Sequence, residues 1–344
     1  MQLTTIGLDL AKNILQVHGV DAGGQAVLKR RLRRGEVLEF FANLPPCLVG
    51  LEACGGAHWW AREIEALGHQ VRLMPAHYVR PYVKRNKNDA ADAEAICEAV
   101  TRPTMRFVPI KGAEQRSVLL LHRTRELLVR QRTGLINALR GHVAEFGIVV
   151  AQGARNVAKL IAVIADQDGK RLPPLAKDVL RLLVEQLRAT EGKLAELERH
   201  LLAWHRANEV SQRLATVPGV GPITATAVAA TVGDPAHFRS ARQFAAWLGL
   251  VPRQHSSGGK ERLGRISKRG DGYLRRLLIH GARTVMRWRR RGVGLAASPW
   301  LAGLLERRPV NVTTVALANK NARIVWAMMM RGESFRQPAS AVAA

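Results

Sequence analysis

The sequence predicts an α/β domain over residues 1–110, a long helical region over residues 111–207 and a mainly α-helical domain over residues 208–335. Three observations predict this fold class. In the first part, short strands of alternating polarity are interspersed with amphipathic helices. In the second part, leucines recur every seven residues, which is typical of a coiled coil. In the third part, a Pro-Gly-Val-Gly turn joins two apolar helical segments.

The N-terminal domain is predicted to contain three strands, a helix, a strand, a helix, a strand and a helix, in that order. TTIGLDLA alternates apolar residues with Thr5, Gly7 and Asp9. LQVHGVD and QAVLKRRL follow after Gly-rich turns, which predicts an antiparallel meander of three strands. Later strands are predicted at CLVGLE and QVRLMP, and helices at Val37–Asn43, AHWWAREIEALG and DAADAEAICEAVT.

Two long helices are predicted in the helical region, from Lys111 to about Phe146 and from about Pro174 to Trp204. The leucines that repeat every seven residues are Leu121, Leu128 and Leu135 in the first helix, and Leu180, Leu187, Leu194 and Leu201 in the second. This spacing predicts a coiled-coil seam, although an ordinary amphipathic core helix has a similar pattern. The two helices can pair within one chain or between two chains, and the sequence leaves that choice open.

The C-terminal domain begins with LATVPGVGPITATAVAATVGD, which has the helix-hairpin-helix pattern. A tight glycine turn of this kind can aim backbone amides at a DNA phosphate, so Gly219 and Gly221 are predicted to bind nucleic acid. NVTTVALANKNARIVWAMMMRG predicts a packing helix in which the run Met328–Met330 belongs to the core. Residues 336–344 are expected to be a disordered tail.

The charge of the chain points to a polyanionic partner. The formal net charge is +26, of which residues 1–110 contribute only +3 and the rest +23. Nucleic acid is the obvious partner for such a charge. The cysteines Cys47, Cys54 and Cys97 are odd in number and match no zinc pattern, which predicts reduced thiols in the cytoplasm. No signal peptide or membrane segment is expected, because the opening MQLTTIGLDLAKN has no basic n-region.

Four acidic residues of the N-terminal domain stand out by their positions. Asp9 lies in an otherwise apolar strand, Glu52 ends another strand, and Asp89 and Asp92 share one face of a predicted helix. Each has an ordinary explanation: Asp9 pairs with Lys12, Glu52 caps the following helix, and Asp89 is an N-cap. Together they favour a site for Mg²⁺, or Mn²⁺ as an alternative, because converging carboxylates need a cation. The other acids nearby, Asp21, Glu94 and Glu98, are interpreted as solvated.

These acids and the basic loop after residue 250 resemble a known family. GLDLAK, GLEACGG and NKNDAADA look like the DEDD motif of the insertion-sequence-110/1111 transposases, and PGVGPITA, QFAAWLGLVPR and SSGGKERLGRISKRGDGYLRR look like their second domain. The resemblance runs from about residue 5 to 335, and the wording of GGKERLGRISKRG is closest to the 1111 branch. It implies an RNase H-like first domain of the Holliday-junction-resolvase (RuvC-like) type.

The resemblance also implies a function. Members of the family are recombinases of insertion sequences, in which a structured guide RNA selects donor and target double-stranded DNA. They work as homodimers that assemble into tetramers, and their active site combines the metal-binding domain of one subunit with the serine domain of another. The family's nucleophile is a serine directly before a glycine, which implies Ser257 rather than Ser256. Attack on DNA would leave a 5′-phosphoserine link and a free 3′ hydroxyl.

Basic residues around this serine are expected to bind nucleic-acid backbone. They are Arg253, Lys260, Arg262, Arg265, Lys268, Arg269, Arg275 and Arg276, and Arg283, Arg287 and Arg289–Arg291 extend the patch. Trp288 is expected either to stack on a base or to lie in the core. Two other functions fit the same residues: a metal-dependent junction resolvase or nuclease that uses water as the nucleophile, and an architectural protein that binds DNA or RNA without catalysis.

Overall fold

A five-stranded mixed sheet forms the centre of the N-terminal unit, and helices make up most of the C-terminal unit. The structure is a computed structural model that describes residues 2–84, 88–166, 171–290 and 299–336. Two compact units divide the chain, Met1–Glu114 and Gln115–Ala344. The predicted helical region and the predicted C-terminal domain therefore fall within one unit.

The elements of the N-terminal unit follow the predicted order. They are β1 (Leu3–Asp9), β2 (Ile14–Asp21), β3 (Ala26–Arg33), α1 (Val37–Ala42), β4 (Leu48–Glu52), α2 (Ala57–Ala66), β5 (Gln70–Met74), α3 (Ala76–Val79) and α4 (Asp89–Val100), with short 3₁₀ turns at Arg34–Glu36 and Arg80–Tyr82. The strand order across the sheet is β3-β2-β1-β4-β5. The first three strands are antiparallel, and β4 and β5 run parallel to β1.

The two faces of this sheet differ in how they are packed. On one face, Ile6, Leu8, Val49 and Leu51 are fully buried in a core that α1 and α2 complete. Burial of this many aliphatic side chains supplies most of the driving force for folding. The other face of the central strands carries Gly7, which lies against α4. The alternation of side chains along a strand therefore separates an apolar face from the face that carries the acids.

The C-terminal unit is mainly helical, as predicted. Its elements are α5 (Ala113–Ala144, whose first two residues belong to the N-terminal unit), α6 (Val157–Ala165), α7 (Pro174–Ala207), α8 (Glu209–Ala215), α9 (Pro222–Val232), α10 (Ala241–Trp247), β6 (Pro252–Gln254), β7 (Leu263–Ile266), α11 (Gly272–Arg290), α12 (Pro299–Arg307) and α13 (Val310–Arg331), with 3₁₀ turns at Ala154–Asn156 and Pro235–His237. Its largest hydrophobic core is formed by residues of α8, α9, α10, α11 and α13.

The leucine seam of α7 is buried by the same chain. Leu180 and Leu187 pack with Leu139 of α5 and Ile164 of α6, and Leu201 packs with residues of α5 and α9. Arg125 of α5 also donates two hydrogen bonds to Glu198 of α7, at 2.9 and 2.7 Å. The two long helices therefore contact each other within one chain.

The expected packing helix near the C-terminus is present as α13, but only part of its methionine run is buried. In α13, Met328 is 7% exposed and belongs to the core, whereas Met330 is 45% exposed. The expected disordered tail lies outside the described residues, apart from Arg336. Within the described ranges, no helix has both the length and the apolar character needed to cross a membrane.

Candidate functional site

Asp9 and Glu52 lie on the same face of the sheet. Gly7 pairs with Gly50 across β1 and β4, and both glycines face α4, since an added Cβ would meet Cys97 at Gly7 and Val100 at Gly50. Side chains two residues apart on a strand point to the same face. Asp9 and Glu52 each follow one of these glycines by two residues, so both carboxylates project from the α4 side at adjacent strand ends.

Gly7 and Gly50 allow α4 to lie unusually close to the sheet. A Cβ at Gly7 would be 2.1 Å from the carbonyl oxygen of Ala93, and one at Gly50 would be 2.8 Å from the Cβ of Val100. No side chain other than hydrogen fits at Gly7 without moving the helix. The sequence-based reasoning assigned no role to these glycines, although a glycine inside a strand often marks close backbone approach.

The first turn of α4 carries Asp89 and Asp92. Asn88 is the N-cap, and its side-chain oxygen accepts a hydrogen bond from the backbone N–H of Ala91 at 2.8 Å. Asp89 is therefore the first helical residue, and the N-cap role considered for it is wrong. The capping role considered for Glu52 is also wrong, because α2 begins after Gly56 and has no side-chain cap.

The four acids share one electrostatic environment. The pKa of Asp9 is raised to about 6, first by burial and then by the negative charges of Asp92, Asp89 and Glu52. A carboxylate paired with a cation would have a lowered pKa, so the pairing of Asp9 with Lys12 does not describe this site. The pKa of the Cys54 thiol is also raised, first by burial and then by Glu52 and Asp9. The structure thus brings the predicted acids together, and it places Cys54 beside them.

The donor set suits a hard divalent cation, although the conformation is not a closed metal cage. Within residues 2–84, 88–166, 171–290 and 299–336, no three His, Cys, Asp or Glu side chains form a ready metal-binding group. Besides burial, repulsion from the other three carboxylates raises the pKa of Asp9, and this repulsion indicates a cation site. A bound cation would relieve that repulsion. Carboxylate oxygens are the ligands that Mg²⁺ and Mn²⁺ prefer.

The other acids of this unit have local partners. Glu94 and Glu98 both pair with Lys84, at 3.3 Å. Asp21 lies in the turn after β2, where its carboxylate accepts hydrogen bonds from the backbone N–H groups of Gly23 and Gln25, at 2.9 Å each. These acids are therefore half-buried and held by local partners, and not simply solvated as the sequence suggested.

The two serines of QHSSGG differ in their hydrogen bonding. They lie in the loop of a hairpin formed by β6 and β7. The hydroxyl of Ser256 accepts hydrogen bonds from the backbone N–H of Arg262 at 3.1 Å and from Gln254 Nε2 at 3.2 Å. Among the described residues, the Ser257 hydroxyl makes no side-chain hydrogen bond, and the residue is exposed. Gly258 and Gly259 follow with φ of 57° and 76°, a conformation that favours glycine.

Glycines fix the base of this hairpin. A Cβ at Gly270 would lie 1.7 Å from the carbonyl oxygen of Trp247, and one at Gly249 would lie 2.3 Å from that of Arg269. The end of α10 and the segment before α11 are therefore in direct backbone contact. This close packing holds both ends of the serine hairpin on the helical core.

A buried polar network holds the helix that follows the serine hairpin. Thr226 of α9 donates to the carbonyl oxygen of Pro222 at 2.8 Å, so its oxygen accepts from His122 Nε2 at 3.1 Å. His122 Nδ1 then accepts from the Tyr273 hydroxyl of α11 at 3.0 Å. Burial lowers the pKa of His122 to about 4, and Arg125 lowers it in the same direction. The neutral imidazole therefore joins α5, α9 and α11.

The predicted nucleic-acid-binding residues of the hairpin fall into two groups. Five of them are exposed: Lys260, Arg262, Arg265, Lys268 and Arg269. Three others contact the chain itself. Arg253 donates to the carbonyl oxygen of Ser267, Arg275 donates to those of Leu248 and Arg269, and Arg276 pairs with Glu126. The second group has a structural role, and its binding of nucleic acid stays a prediction.

The glycine turn between α8 and α9 joins two helices, as the predicted helix-hairpin-helix pattern requires. Gly219 has a φ of 87°, and its neighbour across the core is Gly281 of α11, where an added Cβ would be 1.7 Å from the Gly219 carbonyl oxygen. Gly219 is thus required for packing. A Cβ at Gly221 would meet no atom within 4 Å, so this N-terminal end of α9 is open.

The second half of α11 carries an exposed basic face. Arg283 and Arg287 are exposed, and Trp288 is 56% exposed, so the core position considered for Trp288 is wrong. The side chains of Arg289–Arg291 lie outside those that the structure describes.

Comparison with known proteins gives consistent matches along the chain. The family described as Transposase IS116/IS110/IS902 matches residues 211–294, and the DEDD-type IS110 transposase family matches residues 6–148. A probable family 20 transposase from Pseudomonas aeruginosa is 55% identical over 98% of this chain and 99% of its own length. The transposase for insertion sequence element IS1111A from Coxiella burnetii is 44% identical over 96% of this chain and 91% of its own. The transposase for element IS1328 from Yersinia enterocolitica is 43% identical, with 97% and 98% covered.

Proposed function

This chain belongs to the IS116/IS110/IS902 family of transposases and is a DNA transposase, and we propose that it cuts and rejoins DNA through a covalent phosphoserine intermediate at Ser257. The observation that carries this proposal is the difference between two neighbouring hydroxyls. Ser256 is held by two hydrogen bonds within the hairpin, whereas the exposed Ser257 precedes two glycines that leave room for a DNA backbone.

The proposed chemistry conserves the energy of the phosphodiester bond. The Ser257 oxygen attacks the scissile phosphorus, the bond to the 3′ oxygen breaks, and the proton lost from the serine is balanced by one gained by the 3′ oxygen, which becomes a free hydroxyl. The 5′ phosphate stays on the serine until the 3′ hydroxyl of another strand attacks it and releases Ser257. This exchange needs no nucleotide cofactor, because each bond that breaks is replaced by an equivalent one.

The acids can assist at the reacting phosphate only if a cation accompanies them, because carboxylates alone would repel the anionic phosphate. Asp9, Glu52, Asp89 and Asp92 would hold Mg²⁺, or Mn²⁺ as an alternative, and the ion would neutralise charge on the phosphate oxygens. These four side chains would hold the ion from β1, β4 and the first turn of α4, and the partly buried setting of Asp9 would strengthen their attraction for it. The strand order and the acids at the ends of β1 and β4 support an RNase H-like fold of the resolvase type.

Two partners are part of the proposal. The first is a structured guide RNA that selects donor and target DNA by base pairing while the protein binds backbone; the net charge of +26 and the exposed arginines of the serine hairpin support it. The second is a further copy of the chain, as a dimer that assembles into a tetramer on DNA. The 44% identity to the IS1111A transposase supports placing this chain in the 1111 branch.

The test compares two serine variants in a purified reaction. The protein is incubated with DNA that carries the element and its flanks, and covalent adducts are separated in denaturing gels. Ser257→Ala is expected to abolish the adduct and strand exchange, and Ser256→Ala is the matched control that retains both. An adduct that survives in Ser257→Ala and disappears in Ser256→Ala would assign the nucleophile to Ser256.

Other outcomes separate the remaining functions. Hydrolysed strands without any adduct would indicate a metal-dependent resolvase or nuclease that uses water. Binding without cleavage, indifferent to Mg²⁺ and to Asp9→Ala, would indicate an architectural protein. Sequencing of RNA that copurifies with the protein, together with loss of exchange after ribonuclease treatment, tests the guide RNA.

A further inference from the structure

The edge strand β3 carries basic side chains on the same face of the sheet as Asp9. Lys29, Arg31 and Arg33 alternate with Arg30 and Leu32 along the strand. Leu32 is fully buried in the apolar core and Arg30 lies over the ring of Phe40, at 5.7 Å from its centre. Because successive side chains of a strand point to opposite faces of the sheet, Lys29, Arg31 and Arg33 project from the face opposite Arg30 and Leu32. We call Lys29, Arg31 and Arg33 the β3 basic row.

The register of the sheet aligns this row with the acids. Asp9 pairs with Gln16 across β1 and β2, and Gln16 pairs with Arg31 across β2 and β3. Two strand spacings put the Cα of Arg31 about 10 Å from that of Asp9, a distance that an extended arginine side chain and one phosphate group span together. Residues two apart on a strand are about 7 Å apart, which is comparable to the separation of successive phosphates in a nucleic-acid strand.

A cleft of about 320 Å³ lies between the acids' helix and the row. Its lining includes Gln16, His18 and Lys29 from β2 and β3, Lys84 and the N-cap residue Asn88 before α4, and Glu94 within α4. Lys29 and Lys84 both line this cleft, where burial is the largest cause that lowers the pKa of His18, the carboxylate of Glu94 opposes that shift, and the two ammonium groups add to it. Lys84 is shared with Glu94 and Glu98.

The row itself is not neutralised by the chain. All three side chains are exposed, and in the described parts of the chain no carboxylate forms an ion pair with Lys29, Arg31 or Arg33. The N-terminal domain has a net charge of only +3 over residues 1–110. Three unpaired cations in one row are therefore a local concentration of positive charge directly beside a group of carboxylates.

We propose that the β3 basic row and the adjoining cleft bind the phosphate backbone of the DNA strand beside the one that is cut, and so align that strand on the acidic site. This inference rests on the proposed function, in that it takes DNA as the molecule on which the acids act. The row binds without reading sequence, because guanidinium and ammonium groups contact phosphate oxygens alone. Arg31 is level with Asp9 across the sheet, and Lys29 and Arg33 lie two residues to either side of it along β3.

An alternative role for charge on β3 is protection of the sheet edge. Basic side chains on an edge strand discourage pairing with another sheet, and Arg30 would serve that purpose as well as Arg31. If the charge on β3 only protects the edge, removing a positive charge from either face of the strand should have the same effect. The phosphate-binding role predicts that only the Asp9 face matters, which makes Arg30 and Arg31 a matched pair on one strand.

The first experiment measures binding of the full-length protein to a short mixed-sequence DNA duplex by fluorescence anisotropy, in EDTA and at several salt concentrations. Each lost phosphate contact lowers the slope of log affinity against log salt by about 0.9. Arg31→Gln is expected to lower the slope by about that amount, and the triple variant K29Q/R31Q/R33Q by roughly two to three times as much. Arg30→Gln is expected to leave it unchanged. Equal effects of Arg30→Gln and Arg31→Gln, or no effect of the triple variant, would overturn the proposal.

The second experiment does not depend on affinity. A photocrosslinking amino acid is placed at position 30 or 31, and the protein is irradiated with labelled DNA duplex and, separately, with a labelled RNA hairpin. Crosslinks to DNA from position 31 and not from position 30 support the proposal. Crosslinks to RNA alone, or equal crosslinking from both positions, contradict it. Both experiments run without cleavage, so failure of the phosphoserine chemistry and failure of this site give different results.

Discussion

Replacing Gly7 by alanine puts a methyl group where α4 crosses β1. The new Cβ would lie 2.1 Å from the carbonyl oxygen of Ala93, 2.4 Å from the backbone nitrogen of Cys97 and 2.8 Å from its Cβ. Two of these three atoms belong to the helix backbone, so no rotation of a side chain relieves the overlap. The whole of α4 has to move away from the sheet, and it carries Asp89 with it.

The size of that movement follows from the contact distances. Ordinary van der Waals contact begins at 3.4 Å, so the helix has to retreat by about 1 Å. Overpacking of this kind costs about 1–3 kcal/mol, which is less than the stability of about 5–15 kcal/mol typical of folded proteins. The Gly7→Ala variant therefore folds. A displacement of about 1 Å at reacting groups costs roughly 10²-fold in rate, because Asp89 and Asp92 then no longer face Asp9 and Glu52 correctly.

Two measurements on the same variant separate stability from activity. Urea unfolding of the purified protein gives the loss of stability, and transposition frequency in cells, normalised to protein level, gives the loss of activity. Gly35→Ala is the control, because its added Cβ meets no atom within 4 Å. The expected result is a loss of about 100-fold in transposition for Gly7→Ala and almost none for Gly35→Ala. If Gly7→Ala transposes as well as Gly35→Ala, α4 does not need its close approach to the sheet.

Three further predictions concern stability. The pKa of His122 is lowered to about 4 from 6.5, so as the pH falls the unfolded chain takes up a proton on this imidazole before the folded chain does. The free energy of unfolding is therefore highest above pH 6.5 and falls by up to about 3 kcal/mol as the pH drops toward 4. Urea unfolding at several pH values should show a smaller fall for His122→Gln. Asn88→Ala removes the N-cap of α4 and should cost about 1 kcal/mol in the same assay, with Asn88→Ser restoring most of it. Gly281→Ala clashes with the backbone of Gly219 at 1.7 Å and should lower the melting temperature, whereas Gly303→Ala, with open space around it, should stabilise α12 by a few tenths to about 1 kcal/mol.

The order of elements in the N-terminal unit could be predicted because each element has its own local pattern. Alternation marks the strands, a 3.6-residue period marks the helices, and Gly68 ends α2 as expected. That Asp9 and Glu52 belong to one site could be proposed from their positions in strands and from the family resemblance. The parallel pairing of β1 with β4 could not be predicted, because it depends on contacts between residues more than 40 positions apart.

Side-chain partners in the C-terminal unit were beyond prediction for a physical reason. Arginine has a long side chain and five donors, so it binds a phosphate or a carbonyl oxygen equally well, and only the fold decides which is within reach. Arg275 and Arg262 look alike in the sequence, yet the first donates to two backbone carbonyl oxygens and is half-buried, while the second is exposed. The choice between Ser256 and Ser257 has the same origin, because the hairpin register alone determines which hydroxyl meets the N–H of Arg262.

The net charge of the N-terminal domain does not show where its positive side chains lie on the folded surface, and that location matters for binding. The N-terminal domain is nearly neutral because acids such as Glu36, Glu39 and Glu63 offset its basic residues. In the folded sheet these charges are sorted by the alternation of β3, which sends Arg30 to one face and Arg31 to the other. A nearly neutral domain therefore presents a positive row directly beside its acidic site. Salt screening over about 8–10 Å limits each charge to its neighbours, so the local arrangement, and not the total, decides where a DNA backbone is held.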